Sequence, residues 1–241
     1  DDRTSCVLVS SVLFGTGLIV PELQQIAAAC TKHGAEMMVD AYHSLGVVPF
    51  SLDGMEQAFV LGGGYKYMQL GEGNCFMRVP EGCEMRPVIT GWFSEFAELA
   101  DAKTEGEVRY GKGFMRFSGS TFDPTSQYRG AAVLDFFAEQ GLSTELLRSV
   151  SQHQVGLLVE TLESLDLDPA MVSIDAGVPL ESRAGFLTVR APDAEALSVA
   201  LREHGVSTDA RGDRLRFGPA PYLSDAQVVQ AMETLREVVP R

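Results

Sequence analysis

An α/β fold is predicted by three observations. Strand-length apolar runs alternate with a segment of helical periodicity, the runs are nearly continuous, as buried strands require, and polar residues stand just where they stop. The first run, Thr4-Ser5-Cys6-Val7-Leu8-Val9-Ser10, reads as a buried parallel strand. Gly15-Thr16-Gly17 makes a loop, and Pro21 stands where a helix can start, with Leu23, Ile26, Ala27 and Cys30 at helical spacing. Lys32-His33-Gly34 ends that helix with basic residues and a glycine. A second strand, 36–39, delivers Asp40 at its carboxyl end; a third, 58–61, stops at Gly62-Gly63-Gly64; a fourth spans 74–79. In such sheets function gathers at the carboxyl ends of strands, where Asp40 and Lys66 fall.

Beyond Pro80 the pattern breaks into loop up to Pro124, with the single tryptophan, Trp92, inside it. Helices are expected over 126–139 and 143–165, with Gly141 between them. The rest reads as strand 185–189, helix 193–204, short strands 206–209 and 214–217, and a closing helix 224–239. This gives two domains, residues 1–140 as part of a large αβα unit and 141–241 as a small α+β unit.

Composition narrows the function. With 19 Lys+Arg against 33 Asp+Glu in 241 residues, the net charge of −14 excludes a protein that coats nucleic acid by neutralising phosphates. Hydrophobic residues at 45% and charged residues at 22% are those of an ordered globular chain. No apolar run approaches the roughly 18 residues that a spanning helix needs, so no membrane role is expected. The four cysteines show no C-x-x-C and read as reduced thiols of a cytoplasmic protein, mostly packing as small hydrophobes. The histidines form no H-x-x-x-H pair and no cysteine pair has zinc spacing, so no metal site is expected. The triple glycine lies in neither a G-x-x-x-x-G-K-[ST] nor a G-x-G-x-x-G pattern, which argues against a nucleotide cradle.

The chemistry concentrates in Asp40-Ala41-Tyr42-His43 and Gly64-Tyr65-Lys66-Tyr67. A lysine after a run of glycines at a strand end is placed where burial disfavours its ammonium form, which suits an amine that forms a Schiff base. A strand-end aspartate can then keep a pyridine nitrogen protonated, and His43 can flank the same ring. Each residue also has a plainer reading: a surface lysine after a turn, a helix N-cap, a structural histidine.

These motifs resemble those of the fold-type I, pyridoxal-phosphate-dependent enzymes of aminotransferase class V, in particular the kynureninase-like branch. The resemblance implies that Lys66 forms the Schiff base with pyridoxal 5′-phosphate, that Asp40 pairs with the pyridine nitrogen, and that His43 and Tyr65 position ring and phosphate. Gly91-Trp92-Phe93 resembles a Gly-Trp-Trp segment and Arg116-Phe117-Ser118-Gly119-Ser120-Thr121 a segment ending in Gly-Thr; both imply that Trp92 and Thr121 reach the phosphate of a neighbouring subunit in a homodimer. Arg216-Phe217-Gly218-Pro219-Ala220-Pro221 resembles an R-x-x-P-x-P tail, which implies that Arg216 clamps the α-carboxylate of an amino-acid substrate. The sequence departs from kynureninases at Ser118-Gly119-Ser120, where they carry an asparagine. The implied activity is hydrolytic Cβ–Cγ cleavage releasing alanine. Transamination, β-elimination, epimerisation, or a non-catalytic half completing a partner chain remain as alternatives. A cysteine desulfurase shares the fold, but Cys75 and Cys83 read as tied to a strand and its turn. The family carries a further segment before the first strand seen here, so the chain is expected to be the C-terminal part of a larger unit.

Overall fold

A computed structural model describes residues 1–102 and 104–240. Four strands, β1 (Cys6–Ser10), β2 (Glu36–Asp40), β3 (Phe59–Gly63) and β4 (Cys75–Arg78), form one sheet in that order. β1, β2 and β3 run parallel, with Ser10 opposite Asp40 and Asp40 opposite Leu61, so their carboxyl ends align along one edge. β4 returns antiparallel to β3 and sets Cys75 opposite Gly63. Helix α1 (Leu23–Lys32) makes the crossover from β1 to β2 and buries Leu23, Ala27 and Cys30, one helical stripe, against Met37, Val39 and Val60. It starts two residues past Pro21, with Glu22 in the left-handed region at φ 58°.

Two expectations are corrected here. β1 is an edge strand rather than a fully buried one, and Leu8 is 66% exposed. Of the cysteines only Cys30 is buried; Cys6 and Cys75 are exposed and Cys83 is intermediate, so most do not pack as core hydrophobes. Tight space accounts for the triple glycine. A Cβ at Gly62, Gly63 or Gly64 would lie 2.3, 2.2 or 2.6 Å from Phe76, Tyr42 or Leu70.

The described residues of the 80–124 stretch are irregular apart from two 3₁₀ turns, Trp92–Glu98 and Gly113–Phe117. Helices α2 (Thr125–Glu139) and α3 (Thr144–Ser164) follow, and the divide we propose at 140/141 falls between them. The remaining strands, β5 (Leu187–Arg190), β6 (Asp209–Arg211) and β7 (Arg214–Phe217), form an antiparallel sheet with β7 in the centre. The strand expected over 206–209 thus begins later, at Asp209, where β6 pairs with β7 across the Gly212 turn. Helices α3, α4 (Ala194–Glu203) and α5 (Asp225–Val238) cover this sheet through Leu158, Leu201, Met232 and Leu235, which pack on Leu187 and Leu215.

Ser224 caps α5 in a capping box: its Oγ accepts from Gln227 N, and Gln227 Oε1 accepts from Ser224 N at 2.9 Å. Ser224→Ala is expected to lower stability by about 1 kcal/mol, read as a shift of the urea midpoint at constant slope.

The two sheets meet through a small cluster of Val12, Ala184 and Phe186 and a bridge between Leu18 and Arg183. Gly17 permits that meeting: its φ is +72°, and a Cβ there would sit 2.8 Å from the Phe186 carbonyl oxygen. Arg148 on α3 holds the 181–183 turn from the other side by donating to the carbonyls of Arg183 and Glu181. No helix among the described residues is long and apolar enough to cross a membrane.

Candidate functional site

Asp40 ends β2, and its carboxylate is fixed by local chemistry. Oδ1 accepts from the Tyr42 backbone N–H at 2.9 Å, and Oδ2 faces the Ser10 hydroxyl at 3.4 Å. Beneath it, Ser11 donates its backbone N–H to the Asp40 carbonyl, and the buried Ser11 and Ser44 hydroxyls are hydrogen-bonded at 2.8 Å. The Ala41 N–H donates to Leu61 O, carrying the β2–β3 ladder one step past the strand. The chain then turns so that His43 lies between Phe14 and Phe186, with ring centroids 5.5 and 5.6 Å away.

Lys66 follows the glycines on a turn closed by the Gln69 N–H, which donates to the Lys66 carbonyl, and by the Leu70 N–H, which donates to Gly64 O. Gln69 is held at φ 56°, a left-handed conformation that is uncommon outside glycine. Lys66 Nζ lies 5.1 Å from the centroid of the Tyr65 ring, which stands edge-on to Tyr42. Arg216 reaches the same place from β7: its guanidinium carbon is 3.6 Å from the Phe14 ring centroid. His43, Tyr65, Lys66, Phe186, Asp209 and Arg216 border a cavity of about 540 Å³ between the two sheets. A neighbouring cavity of about 690 Å³, bordered by His204, Phe217 and α5, has no charged side chain of the Asp, Glu, Lys or Arg type in its wall.

Electrostatics single out the same group. Burial first, and then the Arg216 charge, hold the Lys66 amine below the usual lysine range, while Asp40 opposes the shift. Burial, assisted by Lys66, lowers His43 to about 4 against a pull from Asp40, so the imidazole is neutral at pH 7. Burial pushes the Tyr67 phenol well above its ordinary value, and the Cys75 thiol beside Tyr42, followed by burial, raises that phenol to about 12.

His43 yields a pH prediction. Its folded pKa is depressed from 6.5, so its neutral form contributes stability that is complete above pH 6.5 and is lost as pH falls from 6.5 toward 4, where only the unfolded chain binds the proton. Urea midpoints at pH 7 and pH 5 should therefore differ more in the wild type than in His43→Gln.

The residues expected from sequence fall into two sets. Lys66, His43, Tyr65 and Arg216 border the cavity, and Asp40 stands close enough for its charge to act on Lys66 and His43. Trp92 and Thr121 do not border it; both are exposed, Trp92 within an aromatic group with Phe93 and Phe96. Sequence reasoning passed over Phe14, Tyr67 and Phe186, whose only signals are the adjacent Gly15-Thr16-Gly17 loop, the neighbouring Lys66 and an apolar strand start. Among the described residues no group of three or more His, Cys, Asp or Glu side chains is placed to hold a metal ion.

Residues 147–235 match the family model of the kynureninase C-terminal domain. The chain is 28% identical over 248 residues to the kynureninase of Pseudomonas fluorescens, covering all of this chain and 58% of that protein. Its fold resembles the apo cysteine desulfurase of Thermococcus onnurineus NA1, with a TM-score of 0.79 at 17% identity over 98% of this chain and 60% of the other. It also resembles a cystine C-S lyase in complex with its product cysteine persulfide, with a TM-score of 0.79 at 21% identity over 99% and 62%. The chain thus spans less than two thirds of the relatives it matches. Over residues 147–235 the chain is thus similar to the kynureninase C-terminal domain, over its whole length to part of a kynureninase, and in fold to these larger proteins.

Proposed function

We propose that the chain carries the Schiff-base lysine and the carboxylate clamp of a pyridoxal-phosphate enzyme acting on an α-amino acid. The observation that carries this reading is one cavity bordered by the partly buried Lys66 amine and the largely buried Arg216, with the strand-end Asp40 near enough for its charge to act on Lys66. The donor set fits the cofactor. An amine held below its usual pKa can react with an aldehyde, and a fixed carboxylate matches a protonated ring nitrogen. The Arg216 Nε is buried and has no partner among the described residues, which leaves a donor for an anion. A cavity of about 540 Å³ is of ordinary size for a cofactor and a small substrate.

Pyridoxal phosphate, when bound, supplies an aldehyde for amines and an electron-withdrawing ring. Asp40 would hold the proton on the ring nitrogen, and His43, neutral at pH 7, would flank the ring without adding charge. Arg216 holds the α-carboxylate of the substrate and so orients Cα toward Lys66. Lys66 Nζ takes the proton from Cα and returns one as the product forms. The reaction we assign is hydrolysis: a water oxygen bonds to Cγ, the Cβ–Cγ bond breaks, Cβ takes up a proton, and alanine leaves beside a carboxylic acid. The match to kynureninases supports this branch. The exposure of Trp92 and Thr121 supports their service to the cofactor phosphate of a second copy.

The test is product analysis after reconstitution with pyridoxal phosphate. Alanine and a stoichiometric carboxylic acid from a γ-oxo amino acid are expected. Keto-acid, alkene-derived or racemised products would move the chain to another class V reaction. Cofactor colour that forms only with a second polypeptide would make this chain half of a shared site.

A further inference from the structure

We infer that Asp209 and Phe14 are positioning residues that set the orientation of Arg216. The inference rests on the proposed role of Arg216 as the carboxylate clamp and goes beyond it. In the β6–β7 register Asp209 lies directly opposite Arg216, and its carboxylate engages Arg216 Nη2. Nη1 donates to the Phe14 carbonyl oxygen at 3.2 Å, and the Phe14 ring lies against one face of the guanidinium. Phe186 approaches the same group, its ring centroid 5.7 Å from the guanidinium carbon. Both terminal nitrogens and one face are therefore engaged, and the side chain is only 10% exposed. What remains is Nε, buried and without a partner among the described residues.

A guanidinium is a rigid planar fork, so its hold on a carboxylate depends on the plane it keeps. The arginine stem has several rotatable bonds and does not fix that plane. Asp209 and Phe14 do, one from the adjacent strand and one from the loop after β1, and they leave the Nε edge as the donor for an incoming anion. Asp209 also faces Arg211 at 3.2 Å on its outer side, so its carboxylate is balanced without leaving Arg216.

The experiment compares L-alanine with L-alaninamide as ligands of the cofactor-loaded protein, followed by the change in cofactor absorbance. The wild type should prefer the acid, and Arg216→Gln should lose that preference. Asp209→Asn should reduce it roughly tenfold with amide affinity unchanged, a penalty of the kind expected for a misoriented clamp. Asp209→Glu should recover part of the preference, and Phe14→Leu should lower it without touching a charge. An Asp209→Asn variant that keeps the full acid preference while Arg216→Gln loses it overturns the positioning role and leaves the clamp standing. A wild type with no acid preference overturns the clamp and the inference together. Urea midpoints identify a variant that has lost its fold; should Asp209→Asn be one, Phe14→Leu, in the loop after β1, decides by the same ratio.

Discussion

Replacement of Lys66 by alanine is expected to abolish turnover in the protein reconstituted with pyridoxal phosphate, by three orders of magnitude or more. A positioned acid–base group is worth on the order of 10²–10⁴ in rate, and Lys66 is assigned covalent attachment besides. Lys66→Arg should be as inactive, because a guanidinium stays protonated at neutral pH and cannot take a proton from Cα. The amine is held low by burial and by Arg216, so Arg216→Gln should raise the pKa read from the alkaline or acid limb of the rate profile assigned to Lys66. Wild-type rates in Lys66→Ala would remove the lysine from the mechanism.

The second large effect is on stability. Leu215→Ala should cost about 2–5 kcal/mol, the range for deleting a fully buried leucine. Leu215 is wholly buried on the central strand of the second sheet, packed with Leu187, Leu201, Met232 and Leu235. It also stands between Arg214 and Arg216 in the chain, so a cavity beneath it should loosen the clamp before the domain unfolds. The measurement is the urea midpoint together with the acid-to-amide preference. Leu134→Ala, on the exposed side of α2, should shift the midpoint by less than about 0.5 kcal/mol equivalent and leave the preference alone.

What the sequence made legible was whatever depends on local order. Asp40 and Lys66 were readable because each directly follows an apolar run, and parallel strands align their carboxyl ends at one edge. The long helices were readable from periodicity: α3 spans 144–164 against an expected 143–165. Phe14 was not readable as part of the site, since an aromatic residue in a glycine loop carries no sign of the arginine it covers 202 positions later. The pairing of Asp209 with Arg216 has no sign in the local sequence, and only the register and the burial of Arg216 show that it faces the cavity.

The contact of Arg216 with Phe14 has a kinetic consequence. The site is closed by a link between residues 202 positions apart, while each sheet is built from strands much nearer in sequence. Closing so long a loop has an entropic cost that local pairing does not share, so in refolding the two sheets should form before the clamp does. Far-UV ellipticity is then expected to return ahead of the ability to discriminate an amino acid from its amide. The interval between the two signals would time the docking of the sheets on one another.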